Sequence, residues 1–184
     1  HSDIAIEMAT KIGSFNYRAA VIIFSNRARD EHTQREEMYQ LAKEAVETTR
    51  QYGHSFHGPG VIGGLLLVSD DPVERKALVK EAEDALEKGC VAHNYFWFYQ
   101  YALQSALNNR EWDQLQYFRN QLVSYDHSPT TKWSSFFIDR SSVLESYYRD
   151  RVNESLENQR LQLVDTCRQH SMLKSLVELE AVAN

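Results

Sequence analysis

ALEKGCVAHNYFWFYQYALQSALNNREWD, residues 85 to 113, decides the fold class. Gly89 closes a helix running through ALEK. Six aromatics then fall among seven residues from Tyr95 to Tyr101, with no proline or glycine before a second helix opens near Trp112. On a helix, seven consecutive positions point in every direction, so these rings must contact more than one neighbour. The stretch predicts a buried helical hairpin.

Working outward, only three prolines (Pro59, Pro72, Pro129) and seven glycines punctuate the 184 residues. They separate segments of helical rather than alternating apolar spacing, so the chain is expected to be all α. Ile4, Met8 and Ile12 mark one face of a first helix stopping at Gly13, and residues 15 to 29 form a second helix with little polar face. Thr33 with Glu36 reads as a capping box. The helix after it carries Met38, Leu41, Ala42, Ala45, Val46, Thr49 and Tyr52 as its apolar stripe and ends at Gly53. Val61 to Val68 is a compact apolar helix whose Gly63 and Gly64 imply close approach of another helix.

Asp71-Pro72-Val73-Glu74 combines an N-cap, a proline at the first helical position and a capping-box glutamate. The helix it opens is expected to bury Val73, Ala77, Leu78, Ala82, Ala85 and Leu86. Trp112, Leu115, Phe118, Leu122 and Tyr125 define the buried face of the next surface helix, and Ser128-Pro129 breaks the chain. Trp133, Phe136, Phe137, Leu144, Tyr147 and Tyr148 build an aromatic helix, and Asn153 caps one carrying Leu156, Leu163, Val164 and Cys167. The tail 172–184 reads as weakly ordered.

Helix stops at 13, 53, 89 and about 125 recur in steps of 40, 36 and 36 residues. KEAVETTRQYGH (43–54) and KEAEDALEKGC (80–90) share a visible likeness. A helical hairpin at this period, stacked about four times, predicts a tetratricopeptide-like superhelix in one domain spanning 1–184. The alternative is a globular helical bundle.

The formal net charge is -6, with basic residues scattered rather than gathered into a stripe, which argues against nucleic acid as a partner. No apolar run approaches the roughly 18 residues of a membrane span. Cys90 and Cys167 lie far apart with no CxxC spacing, so neither zinc nor a disulfide scaffold is indicated, and a cytoplasmic location is expected. The N-terminus has no signal-peptide pattern and no initiator Met, and a helix is already under way at Ile4. A fragment of a longer protein is the expectation.

Residues 58 to 67 (GPGVIGGLLL), the GCVAHNYFWFY block, Glu111-Trp112-Asp113, and Trp133 with Phe136-Phe137-Ile138 together carry a family resemblance. The segment Gly58 to Leu144 resembles the C-terminal helical-repeat region of large bacterial signalling proteins. In those proteins a class III adenylate/guanylate cyclase domain and an AAA-type ATPase module precede tetratricopeptide-like repeats. The resemblance implies that nucleotide chemistry lies upstream of this segment, and it carries over no catalytic residue.

Candidate chemistry within the chain is thin. Gly58-Pro59-Gly60-Val61-Ile62-Gly63 matches GxGxxG as a string, but a helix rather than a strand precedes it, so it reads as an interhelical turn. His54, His57 and His93 lack carboxylate or cysteine partners at ligand spacing, and no HExxH or ExxH occurs. No GxSxG elbow is present, and the two cysteines read as buried free thiols. The acid pairs Asp70-Asp71 and Glu36-Glu37 suit helix N-termini. No catalytic, cofactor or metal site is therefore expected.

The aromatic block packs the core in the main, with recognition confined to a candidate groove of His93, Asn94, Tyr95, Tyr99, Gln100, Trp133 and Arg140. The expected function is a non-enzymatic regulatory or interaction module that takes a protein or peptide partner, or upstream domains of its own chain. The alternative is a helical domain sensing a small-molecule effector in the same aromatic groove.

Overall fold

The computed structural model describes residues 2–14, 18–19, 22, 34–53, 56–125 and 131–183. Among the described residues every regular element is helical and no strand occurs. Nine helices are complete: α1 (Ser2–Lys11), α2 (Arg35–Tyr52), α3 (Gly58–Val68), α4 (Pro72–Glu87), α5 (His93–Asn108), α6 (Trp112–Tyr125), α7 (Lys132–Tyr148), α8 (Glu154–Gln169) and α9 (Leu173–Ala181). Most of the expected helix 15–29 lies outside the described residues, although Arg18, Ala19 and Ile22 are helical and the latter two are buried. Thr33 and the Ser128-Pro129 break also lie outside them. The chain divides into two compact units, His1–Ser105 and Ala106–Asn184, where the sequence reading expects one domain.

In the first unit α3 is the centre, since all eleven of its residues are buried. Its glycines are there for closeness: a Cβ on Gly63 would lie 3.0 Å from the Tyr101 ring and 3.3 Å from the Phe98 Cα, and one on Gly60 would lie 3.1 Å from Trp97. The aromatic face of α5 thus meets α3 almost backbone to backbone. On its other sides α3 packs against α2, through the expected stripe Met38, Ala42, Ala45, Val46 and Thr49, and against α4.

Polar pairs join α2 to α4 outside the core. Arg50 donates to both oxygens of Glu81 (2.8 and 2.6 Å), and the Tyr39 hydroxyl donates to Glu74 at 3.0 Å.

Three local expectations differ from what forms. Glu74 does not reach back to the start of α4; it accepts from the Tyr39 and Ser69 hydroxyls, and Asp71 alone caps the helix through Val73 N–H at 2.9 Å. Val73 and Ala77 are exposed because Arg75 occupies the buried side, its guanidinium donating to the Ser69 and Asp70 carbonyls. Ile4, Met8 and Ile12 face outward, with Ala9 inward, and Arg18 bonds both Thr10 of α1 and Glu44 of α2.

In the second unit α6 packs on α7, α7 on α8 and α8 on α9. Leu115, Phe118 and Leu122 of α6 are buried as expected. Thr131 caps α7 through Ser134 N–H, and Asn153 caps α8 through Leu156 N–H at 2.9 Å. The tail forms α9, with Leu179 fully buried, and three arginines contact it: Arg140 pairs with Glu178, Arg160 donates to the Leu179 carbonyl at 2.9 Å, and Arg168 reaches Glu180 at 2.8 Å.

Candidate functional site

The residues proposed for a groove divide between the two units. His93, Asn94, Tyr95, Tyr99 and Gln100 belong to the first, Trp133 and Arg140 to the second. Asn94, Tyr99, Gln100 and Arg140 are buried. The Asn94 amide donates to the Phe56 carbonyl (2.9 Å) and the Val91 carbonyl (3.1 Å), while its oxygen accepts from Gly60 N–H at 3.4 Å. It therefore staples the start of α5 to the start of α3. Tyr99 approaches Glu83 with its hydroxyl at 3.5 Å, and Arg140 is committed to Glu178. As interior groups these four are corrected from groove to core: a side chain so enclosed has no surface to offer a partner.

Tyr95 and Trp133 are half-buried, their rings packed on Tyr99 and Phe137 respectively.

His93 belongs to a ring cluster with Phe56, His57 and Trp97. Its ring centroid lies 4.4 Å from Trp97 and 5.5 Å from His57, and its Nε2 sits 3.2 Å from the Phe56 carbonyl. Burial, then the neighbouring His93, hold the His57 imidazole below its ordinary value, so it packs as a neutral ring. His54 lies outside the described residues, and among those described no three His, Cys, Asp or Glu side chains gather as a metal site. Burial pushes both thiols up, and a thiol so shifted is a poor nucleophile.

A groove does form elsewhere, between α7 and α8, with a volume of about 540 Å³. Lys132, Ser135, Phe136 and Asp139 line it from α7, and Gln159, Gln162, Leu163 and Thr166 from α8. Both sets follow the same i, i+3, i+4, i+7 spacing, which places four side chains on one helical face. The short link between α7 and α8 makes the helices a hairpin, so the first half of one lies beside the second half of the other. Phe136 and Leu163 form an apolar floor, and polar side chains stand along both edges.

The edges are chemically uncommitted. Among the described residues the side chains of Lys132, Ser135, Asp139, Gln159 and Gln162 make no hydrogen bond or ion pair. Loss of surrounding water raises the Asp139 carboxyl above its ordinary value, and no cation offsets this. A second hollow, about 530 Å³ along α4, differs in this respect: Lys80 is paired with Asp84 and Glu81 with Arg50. Of its charged side chains only Lys88 is left without an ion pair among the described residues.

Of the α7–α8 groove only Phe136 and Leu163 were named from sequence, as apolar helix positions rather than as binding residues. The polar six are ordinary surface residue types, and the only available signal for them was the repeated spacing on two helices whose pairing had to be known first. Among the described residues the lining offers one lysine, one aspartate, two hydroxyls, two glutamines and two apolar side chains. Comparison with protein families, characterised proteins and solved structures finds no match to this chain. Among the described residues no helix is long and apolar enough to cross a membrane.

Proposed function

We propose that this chain is a non-enzymatic interaction module that holds a segment of a partner polypeptide in the groove between α7 and α8. The observation carrying this reading is the set of five uncommitted polar side chains above the Phe136–Leu163 floor. An extended peptide needs partners for its backbone N–H and C=O groups and a dry place for an apolar side chain. Glutamines supply a donor and an acceptor on each side chain, so Gln159 and Gln162 suit the first need, while the floor suits the second. In the resembled signalling proteins such a module would act on upstream cyclase or ATPase domains, in the cytoplasm. A reading frame upstream of His1 that encodes neither would remove that part of the proposal.

The groove itself is tested by selecting peptides from a random display library on the full chain and mapping them by amide NMR. Shifts concentrated at Ser135, Asp139, Gln159 and Gln162 are expected. The double substitution Gln159→Ala/Gln162→Ala should weaken the selected peptides at least about tenfold while the melting temperature stays within a degree or so, because exposed groups away from packing contribute little stability. Binding that maps to another surface, or that ignores the double substitution, would sink the groove.

A further inference from the structure

We infer that the α7–α8 groove selects an extended peptide of mixed charge, with an acidic and a basic side chain flanking one apolar residue; this rests on the peptide-binding reading above. Among the described residues Lys132 and Asp139 are the only charged side chains lining the groove, and neither has an ion-pair partner there. They stand seven residues apart on α7, about 10 Å along the axis at 1.5 Å per residue. Phe136 lies between them, with Leu163 facing it from α8.

An extended peptide directs every second side chain to the same side, at about 6.6 Å intervals. Three such side chains, at positions i, i+2 and i+4, cover about 13 Å, a span the long Lys132 side chain can meet. The middle one falls over the apolar floor. The outer two then meet a cation at one end and a carboxylate at the other. A diacidic peptide would leave Asp139 facing a like charge, and a dibasic one would do the same to Lys132; either arrangement disfavours binding. Asp139 carries the cation-binding half of this rule, since it has no ion-pair partner among the described residues.

The probes are four capped peptides with the cores Glu-Ser-Leu-Ser-Lys, Lys-Ser-Leu-Ser-Glu, Glu-Ser-Leu-Ser-Glu and Lys-Ser-Leu-Ser-Lys, titrated into the full chain and read by amide NMR shifts. Both mixed orders are needed because an extended chain can lie in either direction. At least one mixed peptide should bind about tenfold tighter than either like-charged one at low salt, with the gap shrinking as salt rises. Asp139→Lys should transfer the preference to the diacidic peptide, and Lys132→Glu to the dibasic one; both positions are exposed, so the fold tolerates the change.

Equal binding of all four peptides, still weakened by Gln159→Ala/Gln162→Ala, would overturn the charge rule and leave the groove standing. Absence of groove shifts with every peptide, including library-selected ones, would remove both. Groove shifts that depend on protein concentration alone would assign the surface to a second copy of this chain and overturn the inference.

Discussion

Ser171 adopts φ 54°, a left-handed conformation that costs a residue with a Cβ about 1 kcal/mol or more. It is tolerated because it closes the end of α8, where Met172 N–H bonds back to the Cys167 carbonyl at 2.9 Å. Arg110 and Asp150 serve α5 and α7 in the same way. Ser171→Gly should therefore raise stability by about 0.5 kcal/mol in urea unfolding, the relief being partly offset by the freer unfolded chain. Arg110→Gly should show no such gain, since its guanidinium lies 3.8 Å over the Tyr148 ring, a contact that contributes about 0.5–1 kcal/mol. The opposite sign is expected at Gly63→Ala. Its new Cβ meets the Tyr101 Cβ at 3.1 Å and the backbone of Phe98 at 3.3 Å, and backbone cannot swing aside. A loss of about 2 kcal/mol in the same assay is expected from overpacking. These stops also show what a sequence reveals. Gly13, Gly53 and Gly89 are all left-handed and were readable as stops, whereas Arg110, Asp150 and Ser171 carry no such mark in their residue type.

At the scale of the element, capping decides helix starts and charged side chains decide how helices meet. Asp71 and Asn153 were legible as caps because a short side-chain oxygen before a helix has one dominant use. Glu74 was misread because its local role, reaching back along its own helix, lost to Tyr39 and Ser69, groups that only the fold brings near. At the α7–α8 junction a local partner and a tertiary one act together. Glu157 accepts from Arg160 at 2.8 and 2.6 Å and from the Tyr147 hydroxyl, and these bonds hold its carboxyl down to about 2 from an ordinary value near 4.5. A depressed carboxylate stabilises the fold fully above its unfolded value and loses that contribution as pH falls through the folded one. Glu157→Gln should therefore lower the melting temperature at pH 6, and the difference from the parent chain should close between pH 4.5 and about 2. A gap that persists unchanged at the acid end would show that the carboxylate's charge is not what these bonds use.

Across the whole molecule, the helical class and the glycine stops at 13, 53 and 89 were legible, because apolar spacing and left-handed glycines are local properties. The groove was not. It consists of two polar stripes that mean nothing until α7 and α8 are known to be neighbours, and of the aromatics that drew attention first Trp97, Phe98 and Tyr101 are spent holding α3 to α5. In the second unit, helices pack on their chain neighbours, and a helical array built from such contacts loses stability locally rather than everywhere at once. Arg140 supplies the means to test this. Its guanidinium is buried against Glu178 of α9, so Glu178→Ala removes a carboxylate that faces a buried cation and should cost about 3 kcal/mol. Native-state hydrogen exchange reads where that loss is felt. Amides of α7, α8 and α9 should exchange faster by about two orders of magnitude, as that energy implies. Amides of α3, whose residues are all buried in the first unit, should keep their parent rates. Equal acceleration in α3 would mean that the two units unfold as one, and the array picture would give way to a single cooperative bundle.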